Sequence, residues 1–577
     1  MEKFQRFLPF LRWFPMGGDI IRADLIAGVT VALVLIPQSM AYAQLAGLPA
    51  YYGLYAAFLP VLVAALWGSS SQLGTGPVAV VSLLTATAVA QFAEIGSPEF
   101  ISLAIMLAFL VGAFQLLLGI FRLGVIVNFL SHPVIVGFTN AAALIIAFSQ
   151  LSKIFGVSMP RSEHFLVDIW GVIMQIGATH IPTLLFGVTA FAIMWFLKKK
   201  YPKVPGVLIA VVATILVSWL ISFQGMGGKI VGEIPEGLPS FAMPTFNMEI
   251  FWEMVISAMV ISLIGFMEAI SIAKAMAAKT KERIDPNQEL IGQGLANIAG
   301  SMTQAYPASG SFSRSAVNLN AGARTGMSSV YTAVIVMITL LFLTPLLYHL
   351  PKAVLAAVIM MAVFGLINFK AIKHAWHISK HDGIAAIVTF VATLGFAPHL
   401  ERGILIGAGL AIVLYLYRSM EPRVAILGRY EDGTLRDIAI HPELPSSDKI
   451  VAIRFDGSLY FANVSYFEDA ILEAVSHKPN AKYVLVVGDG INQLDASGEE
   501  VLHNLNDRLR ENGIILVFSG LKRQIFDVLR DTGLLSDIGE ENFHATEDMA
   551  LEYMYKQLGD DPELDLNYSL LKPTEAQ

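Results

Sequence analysis

One arginine stands out among the residues of this chain that could do chemistry. Arg314 lies in the run PASGSFSRSAVN at 307–318, between segments apolar enough to cross a bilayer, and small residues surround it without a nearby acid. A charge at membrane depth is costly, so it usually marks a substrate path or a paired site. The break in apolar periodicity predicts a helix that begins partway through the membrane, with free N–H groups and a positive dipole end. Together with Arg314, these features predict an anion-binding site.

The composition favours a membrane protein. The 577 residues are 55% hydrophobic and only 15% charged, whereas soluble domains carry about 25% charged residues. No charged residue occurs between Asp24 and Glu94, which fits spanning helices of roughly 20 apolar residues. The absence of Cys excludes disulfides and Cys-ligated metals. The net charge of -8 indicates no particular partner, since much of the acid lies in the C-terminal part.

The apolar runs predict fourteen membrane segments, seven in each half of the chain. An odd number of crossings per half places the halves in opposite orientation, which is the inverted-repeat plan of many transporters. The segments lie near 24–44, 52–67, 76–93, 99–121, 132–150, 180–198 and 203–222, and then near 250–275, 290–304, 312–321, 327–347, 352–367, 383–398 and 403–418.

Charge in the connecting loops predicts a cytoplasmic N-terminus. With that orientation the basic loops 198–203, 274–283 and 370–380 lie inside, and the outer loops carry few Lys or Arg, as the positive-inside rule requires. These basic loops are topology signals and do not indicate nucleic-acid binding. The first 23 residues mix basic and aromatic side chains, which is typical of an interfacial segment on the lipid bilayer.

The composition changes after Arg418, where charges become frequent. Strand patterns KIVAIRF, KYVLVVG and GIILVFS alternate with helices that start near Val464, Ser497 and Leu521, which predicts a small α/β domain. That domain has no membrane-length run, so we expect it to be cytoplasmic. The predicted domains are an N-terminal interfacial segment (1–23), repeat 1 (24–222), an extracytoplasmic loop (223–248), repeat 2 (249–420), the α/β domain (435–560) and a flexible tail (561–577).

The two halves share a further pattern. Each places a polar residue on its first helix, Gln38 in one half and Glu268 in the other, and each has a Gly- or Ser-rich helix start farther along, GTGP at 74–77 and SGSFSRS at 309–315. Interrupted segments in matching positions are the best sequence indication of a midplane binding site.

The interrupted segments carry specific expectations. Pro77 suits a first helical position, and Gly74 and Gly76 allow the backbone to approach a ligand closely. Two opposed helix starts would direct their N–H groups at one point, between Gly76 and Ser313.

The long motifs at 49–84 and 285–326 resemble the signature regions of the SulP family, the sulfate permease and anion-transporter superfamily, and the C-terminal domain resembles a STAS domain. The resemblance covers nearly the whole chain. It implies a fourteen-helix fold in which a core domain moves, elevator-like, against a gate domain, usually in a homodimer. The anion would lie between the third and tenth helices, here those starting at Gly76 and Phe312.

The resemblance also assigns positions in the anion pocket, which are Gln38, Tyr42, Gly76, Val78, Ser313 and Arg314. Some of these residues have simpler interpretations. Arg314 could snorkel to the interface, Gln38 could make an interhelical hydrogen bond, and Tyr42 and Val78 could serve ordinary packing.

Glu268 is the candidate coupling residue. Burial disfavours the charged form of a carboxyl, so Glu268 could carry a proton at neutral pH, and the protonated form would leave Arg314 and the helix dipoles free to hold a divalent anion. A structural hydrogen-bonding role is the alternative. Sodium is the competing coupling ion, but sodium-dependent bicarbonate importers of the family have Asp followed one turn later by Thr, where this chain has Glu268 and Ile272.

The sequence therefore predicts a secondary active transporter of a small oxyanion in the inner or plasma membrane, with proton-coupled sulfate symport as the first hypothesis. Bicarbonate, a C4-dicarboxylate and anion exchange stay open, as does an anion sensor that signals through the STAS domain. We expect no enzyme activity, no cofactor and no metal site, because no nucleophile–base pair, phosphate-binding loop or metal-ligand spacing is found.

The C-terminal domain contains LDASG at 494–498. In related regulatory domains the residue directly after the Asp is a phosphorylated serine, but here it is Ala496, with Ser497 one place later. We interpret this loop as a helix N-cap, a position that Asp and Ser favour, with phosphorylation of the loop as the alternative.

Overall fold

The computed structural model describes residues 8–125, 131–159, 164–201, 204–559 and 570. The chain divides into two compact units, Met1–Ala411 and Ile412–Gln577. Part of the predicted interfacial segment and all of the predicted tail except Leu570 lie outside the described residues.

Among the described residues of the first half of unit 1, the regular elements are helices apart from one short strand. Apolar runs form the long helices, one of which contains Pro37, and Ser or Pro marks several of their starts. The elements are α1 (Gly18–Leu45), α2 (Tyr52–Ala56), α3 (Leu59–Trp67), β1 (Gly74–Gly76), α4 (Ala79–Val89), α5 (Pro98–Ile120), α6 (His132–Ser149), α7 (Leu151–Phe155), α8 (Phe165–Met174), α9 (Ile181–Lys200) and α10 (Gly206–Leu220).

The second half repeats this order of elements. A long helix is followed by a second helix, a short strand that leads into another helix, two further helices, an amphipathic helix and a final pair. These are α11 (Phe251–Thr280), α12 (Pro286–Ser301), β2 (Ser309–Ser311), α13 (Phe312–Asn320), α14 (Met327–Ile338), α15 (Lys352–Val363), α16 (Phe369–Ile378), α17 (Lys380–Gly395) and α18 (Leu400–Met420).

Each of the fourteen predicted membrane segments coincides with one of these helices, or with α2 and α3 together for the second segment. Among the described residues, seven helices are long and apolar enough by themselves to cross a membrane. Shorter apolar helices, such as α4 and α15, account for other segments. The predicted span 76–93 is shortened in the structure because residues 76–78 are extended, whereas the predicted span 312–321 coincides with α13 and directly follows the extended residues 309–311.

Two helices, α8 and α16, are not among the fourteen predicted segments. The residues at 370–380 were predicted as a basic loop, but most of them form α16, and α8 occupies the matching place in the first half. The Asn368 side chain caps α16 by accepting a hydrogen bond from the Ala371 N–H at 3.1 Å. Charged residues can form a surface helix when one face is apolar, so charge alone does not indicate a loop. Likewise, α9 and α11 extend into the basic stretches at 198–203 and 274–283.

The predicted extracytoplasmic loop at 223–248 is non-helical and packs against the start of α15. The Val231 N–H donates to the Leu350 carbonyl at 2.9 Å, and the Lys352 N–H donates to the Lys229 carbonyl at 2.9 Å. These bonds hold the loop beside the N-terminal end of that helix.

Unit 2 contains a six-stranded sheet in the order β4-β3-β5-β6-β7-β8, in which β5 to β8 are parallel and β3 is antiparallel to both neighbours. The three predicted strand patterns form β5, β6 and β7. The elements are β3 (Val424–Arg429), β4 (Leu435–Asp437), β5 (Ile450–Phe455), α19 (Val464–Ser476), β6 (Tyr483–Val487), α20 (Ala496–Glu511), β7 (Ile515–Ser519), α21 (Arg523–Thr532), α22 (Leu534–Ile538), β8 (Phe543–His544) and α23 (Glu547–Leu558).

Alternate strand residues point into two apolar clusters, one on each face of this sheet. In β6, Val484 and Val486 lie in the larger cluster with residues of α19 to α22, whereas Leu485 lies in the smaller one with α23. Leu570 also packs in the smaller cluster, and its N–H donates to the Tyr555 hydroxyl at 2.9 Å. Asp495 caps α20 by accepting from the Gly498 N–H at 2.9 Å, which confirms the N-cap interpretation.

A buried carboxylate joins the two repeats at one face of unit 1. Asp24 on α1 is fully buried. It accepts hydrogen bonds from the backbone N–H groups of Arg324 at 2.7 Å and Thr325 at 3.1 Å, and from the Thr325 hydroxyl at 2.5 Å. A nearby ion pair, Asp19 with Arg324 at 2.6 Å, is largely exposed.

We expect Asp24→Ala to destabilise the protein by about 2 kcal/mol or more, because it leaves buried N–H donors without an acceptor. The matched control Asp19→Ala removes an exposed ion pair and should cost about 0–1 kcal/mol. Thermal unfolding of the full chain in detergent measures both, and equal midpoints for the two variants would contradict this role for Asp24.

Candidate functional site

The two interrupted segments meet in a short ribbon at the centre of unit 1. Strands β1 and β2 pair antiparallel, with Gly74 opposite Ser311 and Gly76 opposite Ser309. Glycine and serine disfavour helix and tolerate this extended, close pairing. Because each strand leads into a helix, α4 and α13 leave the ribbon in opposite directions.

The start of α4 differs from the prediction. The helix begins at Ala79 with Val78 as its N-cap, so it does not begin at Gly76, and Pro77 precedes the helix instead of occupying its first position. Gly76 has φ +139°, which is outside the helical region, and a residue before proline avoids helical geometry. The predicted start of α13 at Phe312 is confirmed.

Both helix starts leave N–H groups available. Among the described residues, no side chain caps α4 or α13, whereas Ser97 caps α5 and Asp285 caps α12. Uncapped N–H groups and the positive dipole end form a site for a negative ligand. In α13 these groups include that of Ser313, whose exposed side chain lies 3.3 Å from the Ser311 hydroxyl.

Arg314 is fully buried against this ribbon. Its Nη1 donates to the Pro77 carbonyl at 2.8 Å and its Nη2 to the Gly74 carbonyl at 3.5 Å, while Nε has no partner among the described residues. In the described part of the chain no carboxylate pairs with it. A buried charge without a counter-charge is unfavourable, so this region favours the entry of an anion.

Glycine is required beside this arginine. A Cβ atom on Gly74 would lie 2.9 Å from the Arg314 Cβ, and one on Gly76 would lie 3.3 Å from Nη2. Gly76 also has the positive φ that other residues rarely adopt. The two glycines therefore allow the guanidinium to reach the carbonyl groups of the opposite segment.

Hydrogen bonds from α13 complete this junction. The Ser315 hydroxyl accepts from the Gly74 N–H at 2.8 Å and donates to the Ser311 carbonyl at 2.7 Å. One turn later, the Asn318 amide donates to the Gln72 carbonyl at 3.3 Å. Ser315 and Asn318 were absent from the predicted site, although their spacing places them on the same helix face as Ser311.

Helix α1 contributes two of the predicted residues. Gln38 is 5% exposed and its Oε1 has no partner among the described residues, and Tyr42 follows one turn later at 4% exposure. Tyr42 lies within electrostatic range of both Arg314 and Glu268. Tyr306, which the sequence did not indicate, also interacts with Arg314 and Tyr42, and its hydroxyl lies 3.3 Å from that of Ser82.

Glu268 is half-buried on α11 and has no ion-pair partner in the described part of the chain. Ile272, one turn later, packs in an apolar cluster with Leu73 and supplies no oxygen ligand. Val78, the N-cap of α4, is 6% exposed and lies next to the carbonyl that binds Arg314.

A polar stripe on α12 holds both strands in place, and none of its residues belongs to the predicted site. Gln293 donates to the Thr75 hydroxyl at 2.8 Å. Asn297 accepts from the Ala308 N–H at 2.8 Å and donates to the Ala308 carbonyl at 3.1 Å. These amides lie four residues apart on a buried face, which is a detectable pattern.

Glu289 extends the same stripe by another turn. It accepts from the backbone N–H groups of Ser69 at 2.8 Å and Ser70 at 3.2 Å. The candidate site as a whole therefore offers the N–H donors of α4 and α13, one fixed cation in Arg314, and one carboxyl without an ion-pair partner among the described residues, that of Glu268. Among the described residues no group of three His, Cys, Asp or Glu could hold a metal ion.

Comparison with known proteins is consistent with this geometry. Residues 21–389 match the model of the sulfate permease family, and residues 441–550 match the STAS domain. The chain is 35% identical to sulfate transporter 4.1, chloroplastic, of Arabidopsis thaliana, over 95% of this chain and 83% of the relative. It is 33% identical to "Probable sulfate transporter MT1781" of Mycobacterium tuberculosis, over 91% of this chain and 94% of that one.

Solved structures show the same fold. SLC26A9 superposes with a TM-score of 0.89 at 23% identity, over 99% of this chain and 95% of that chain. The transmembrane domain of the cyanobacterial bicarbonate transporter BicA gives a TM-score of 0.60 at 24% identity, over 69% of this chain and 98% of that one. The predicted membrane fold of two inverted seven-segment repeats followed by a STAS domain is confirmed. The chain belongs to the sulfate permease family and is an anion transporter, not an enzyme.

Proposed function

We propose that this protein is a secondary active transporter that moves sulfate together with protons by alternating access. The observation that carries the proposal is Arg314, a fully buried cation without a carboxylate partner in the described chain, set between two uncapped helix starts. The names of the curated relatives, which are sulfate transporters, favour sulfate as the anion. The substrate-binding residues of this proposal are Gln38, Tyr42, Gly76, Val78, Ser313 and Arg314.

Charge balance favours a divalent anion accompanied by a proton. Each helix start acts as roughly half a positive charge, so with Arg314 the site offers about two positive charges. Sulfate neutralises these if Glu268 is protonated, whereas an ionised Glu268 would leave the loaded site negative. Loss of the proton would therefore promote release of sulfate. A monovalent anion such as bicarbonate would be balanced instead by an ionised Glu268.

Sodium coupling is less well supported. Ile272 packs among apolar side chains where a hydroxyl ligand for sodium would be needed. Backbone carbonyls could still coordinate sodium. Exchange of bicarbonate or a C4-dicarboxylate would use the same donors as sulfate, so uptake with the three anions in competition is the assay that identifies the substrate. A sensor would not need two opposed interrupted helices, which argues against that alternative.

Movement of a core domain against a gate domain would alternate the access of this site. The ribbon ties α4 and α13 together, so they would move as one body. We also propose a homodimer in the inner or plasma membrane, with the N-terminus and the STAS domain in the cytoplasm, in line with the basic loops on that side.

Glu268→Gln should abolish the acceleration of sulfate uptake by an inward proton gradient, because the neutral amide imitates the protonated acid permanently. Exchange of internal for external sulfate should continue. Proteoliposomes with and without the gradient measure both. Glu253→Gln, an exposed acid on the same helix, is the control and should keep the pH response. An unchanged response in Glu268→Gln would contradict the coupling role.

Arg314→Ser should raise KM for sulfate by tenfold or more, because a charge-assisted interaction of about 2 kcal/mol is lost. Arg314→Lys keeps the charge but cannot reach both carbonyl groups, so we expect an intermediate KM and a lower kcat. Arg283→Ser, at an exposed arginine, is the control. A monodisperse Arg314→Ser protein with the KM of the unaltered protein would contradict the proposal.

A further inference from the structure

A second basic region lies away from Arg314, in a cavity of about 470 Å³ in unit 1. Its walls come from the segment after α1, from α7, from the start of α9, from the loops before α5 and α11, and from the start of α15. Under the topology predicted above, all of these segments face the outside. The charged or titratable side chains that line it are Tyr51, Lys153, His180, Lys229, Glu233 and Lys352.

Three lysines converge on this cavity without a matching acid. Lys153, Lys229 and Lys352 line the same cavity, so the positive charge of Lys352 disfavours that of Lys153, and that of Lys229 disfavours that of Lys352. In the described part of the chain none of them forms an ion pair with a carboxylate. Glu233 is exposed and is the single acid in the lining. Three cations facing one acid leave a net positive cavity, which attracts anions from solution.

The placement of Lys352 makes this arrangement locally unfavourable. It is the first residue of α15, a helix of twelve residues. The start of a helix carries partial positive charge and favours Asp or Glu. A lysine at this end, beside two more lysines, is electrostatically unfavourable. In the described part of the chain no carboxylate pairs with it to offset this cost. A bound anion would compensate both the lysines and the helix start.

Backbone contacts hold the lysines in the wall of the cavity. The Lys153 ammonium donates to the Gln44 carbonyl at 3.2 Å, and the Lys352 N–H donates to the Lys229 carbonyl at 2.9 Å. His180 is also fixed, with Nε2 2.9 Å from the Met226 carbonyl and Nδ1 2.6 Å from the Thr183 hydroxyl. The fold therefore fixes the Lys153 ammonium and places the backbones of Lys229 and Lys352 side by side, with the side chains of both residues exposed.

The cavity is connected to the candidate site through α1. Gln44, which binds Lys153, lies two residues after Tyr42 on this helix, and Gln44 and Leu48 line the cavity. An anion held by the lysines would thus lie at the end of the helix that carries Gln38 and Tyr42.

We propose that this cavity is an outer capture site for a small inorganic oxyanion, held by Lys153, Lys229 and Lys352 before it reaches Arg314. The inference rests on the proposed function for its role in transport, although binding of the anion can be measured independently. A capture site raises the local concentration of the anion at the outer mouth. It affects the efficiency of uptake at low external concentration and leaves the rate at saturation unchanged.

Uptake of labelled sulfate into phosphatidylcholine proteoliposomes tests the transport role. For the double variant Lys153→Gln/Lys352→Gln we expect KM to rise about tenfold, the kcat to stay within about twofold, and the dependence of KM on ionic strength to weaken. Lys153→Arg/Lys352→Arg should restore KM. Lys274→Gln/Lys279→Gln changes two exposed lysines of α11 and is the charge-matched control.

Calorimetric titration of sulfate into the purified full chain tests binding without transport. A binding event that persists in Arg314→Ser and disappears in Lys153→Gln/Lys352→Gln would support the capture site. The absence of such an event, or a KM and salt dependence equal to those of the unaltered protein in a monodisperse double variant, would overturn it. Failure of the unaltered protein to transport any anion would instead remove the proposed function, and the titration would still decide whether the cavity binds sulfate.

Discussion

The bonds of the buried Arg314 guanidinium to the Pro77 and Gly74 carbonyl groups are the interaction on which the centre of this protein depends. They join the two repeats and place a cation where water is largely excluded. A charge in such a place needs dipoles or a ligand to replace its hydration. The short ribbon brings the carbonyl groups within reach, and glycine at 74 and 76 leaves room for the side chain.

Helix α12 gives this centre its rigidity. Its buried side chains Glu289, Gln293 and Asn297 bond to backbone or side-chain groups of both interrupted segments and of the loop before β1. Buried polar networks of this kind fix one arrangement, because any displacement leaves polar groups without partners. The supporting residues therefore come from a helix that contributes none of the predicted ligands.

The sequence predicted the membrane segments, the inverted order, both interruptions and the α/β domain, because apolar runs and glycine are signals of residue type. It also singled out Arg314 by its isolated charge, and the role of Arg314 in anion binding stays a prediction. It did not predict the partners of Arg314, since backbone carbonyls are the same in every residue. It placed the start of α4 too early because Pro77 also suits the position before an N-cap. It missed α16 because the charges there resemble those of a loop. The stripe on α12 was detectable, but only by its spacing.

The opposed directions of α4 and α13 have a consequence for the range of the central field. Two dipoles that point away from a common ribbon reinforce each other between their positive ends and largely cancel farther away. In the proposed site the helices would therefore hold an anion that has arrived, but they would contribute little to drawing one from the solution. Holding a bound anion and attracting one from solution would therefore depend on different charges, and the attraction would come from charges outside the ribbon.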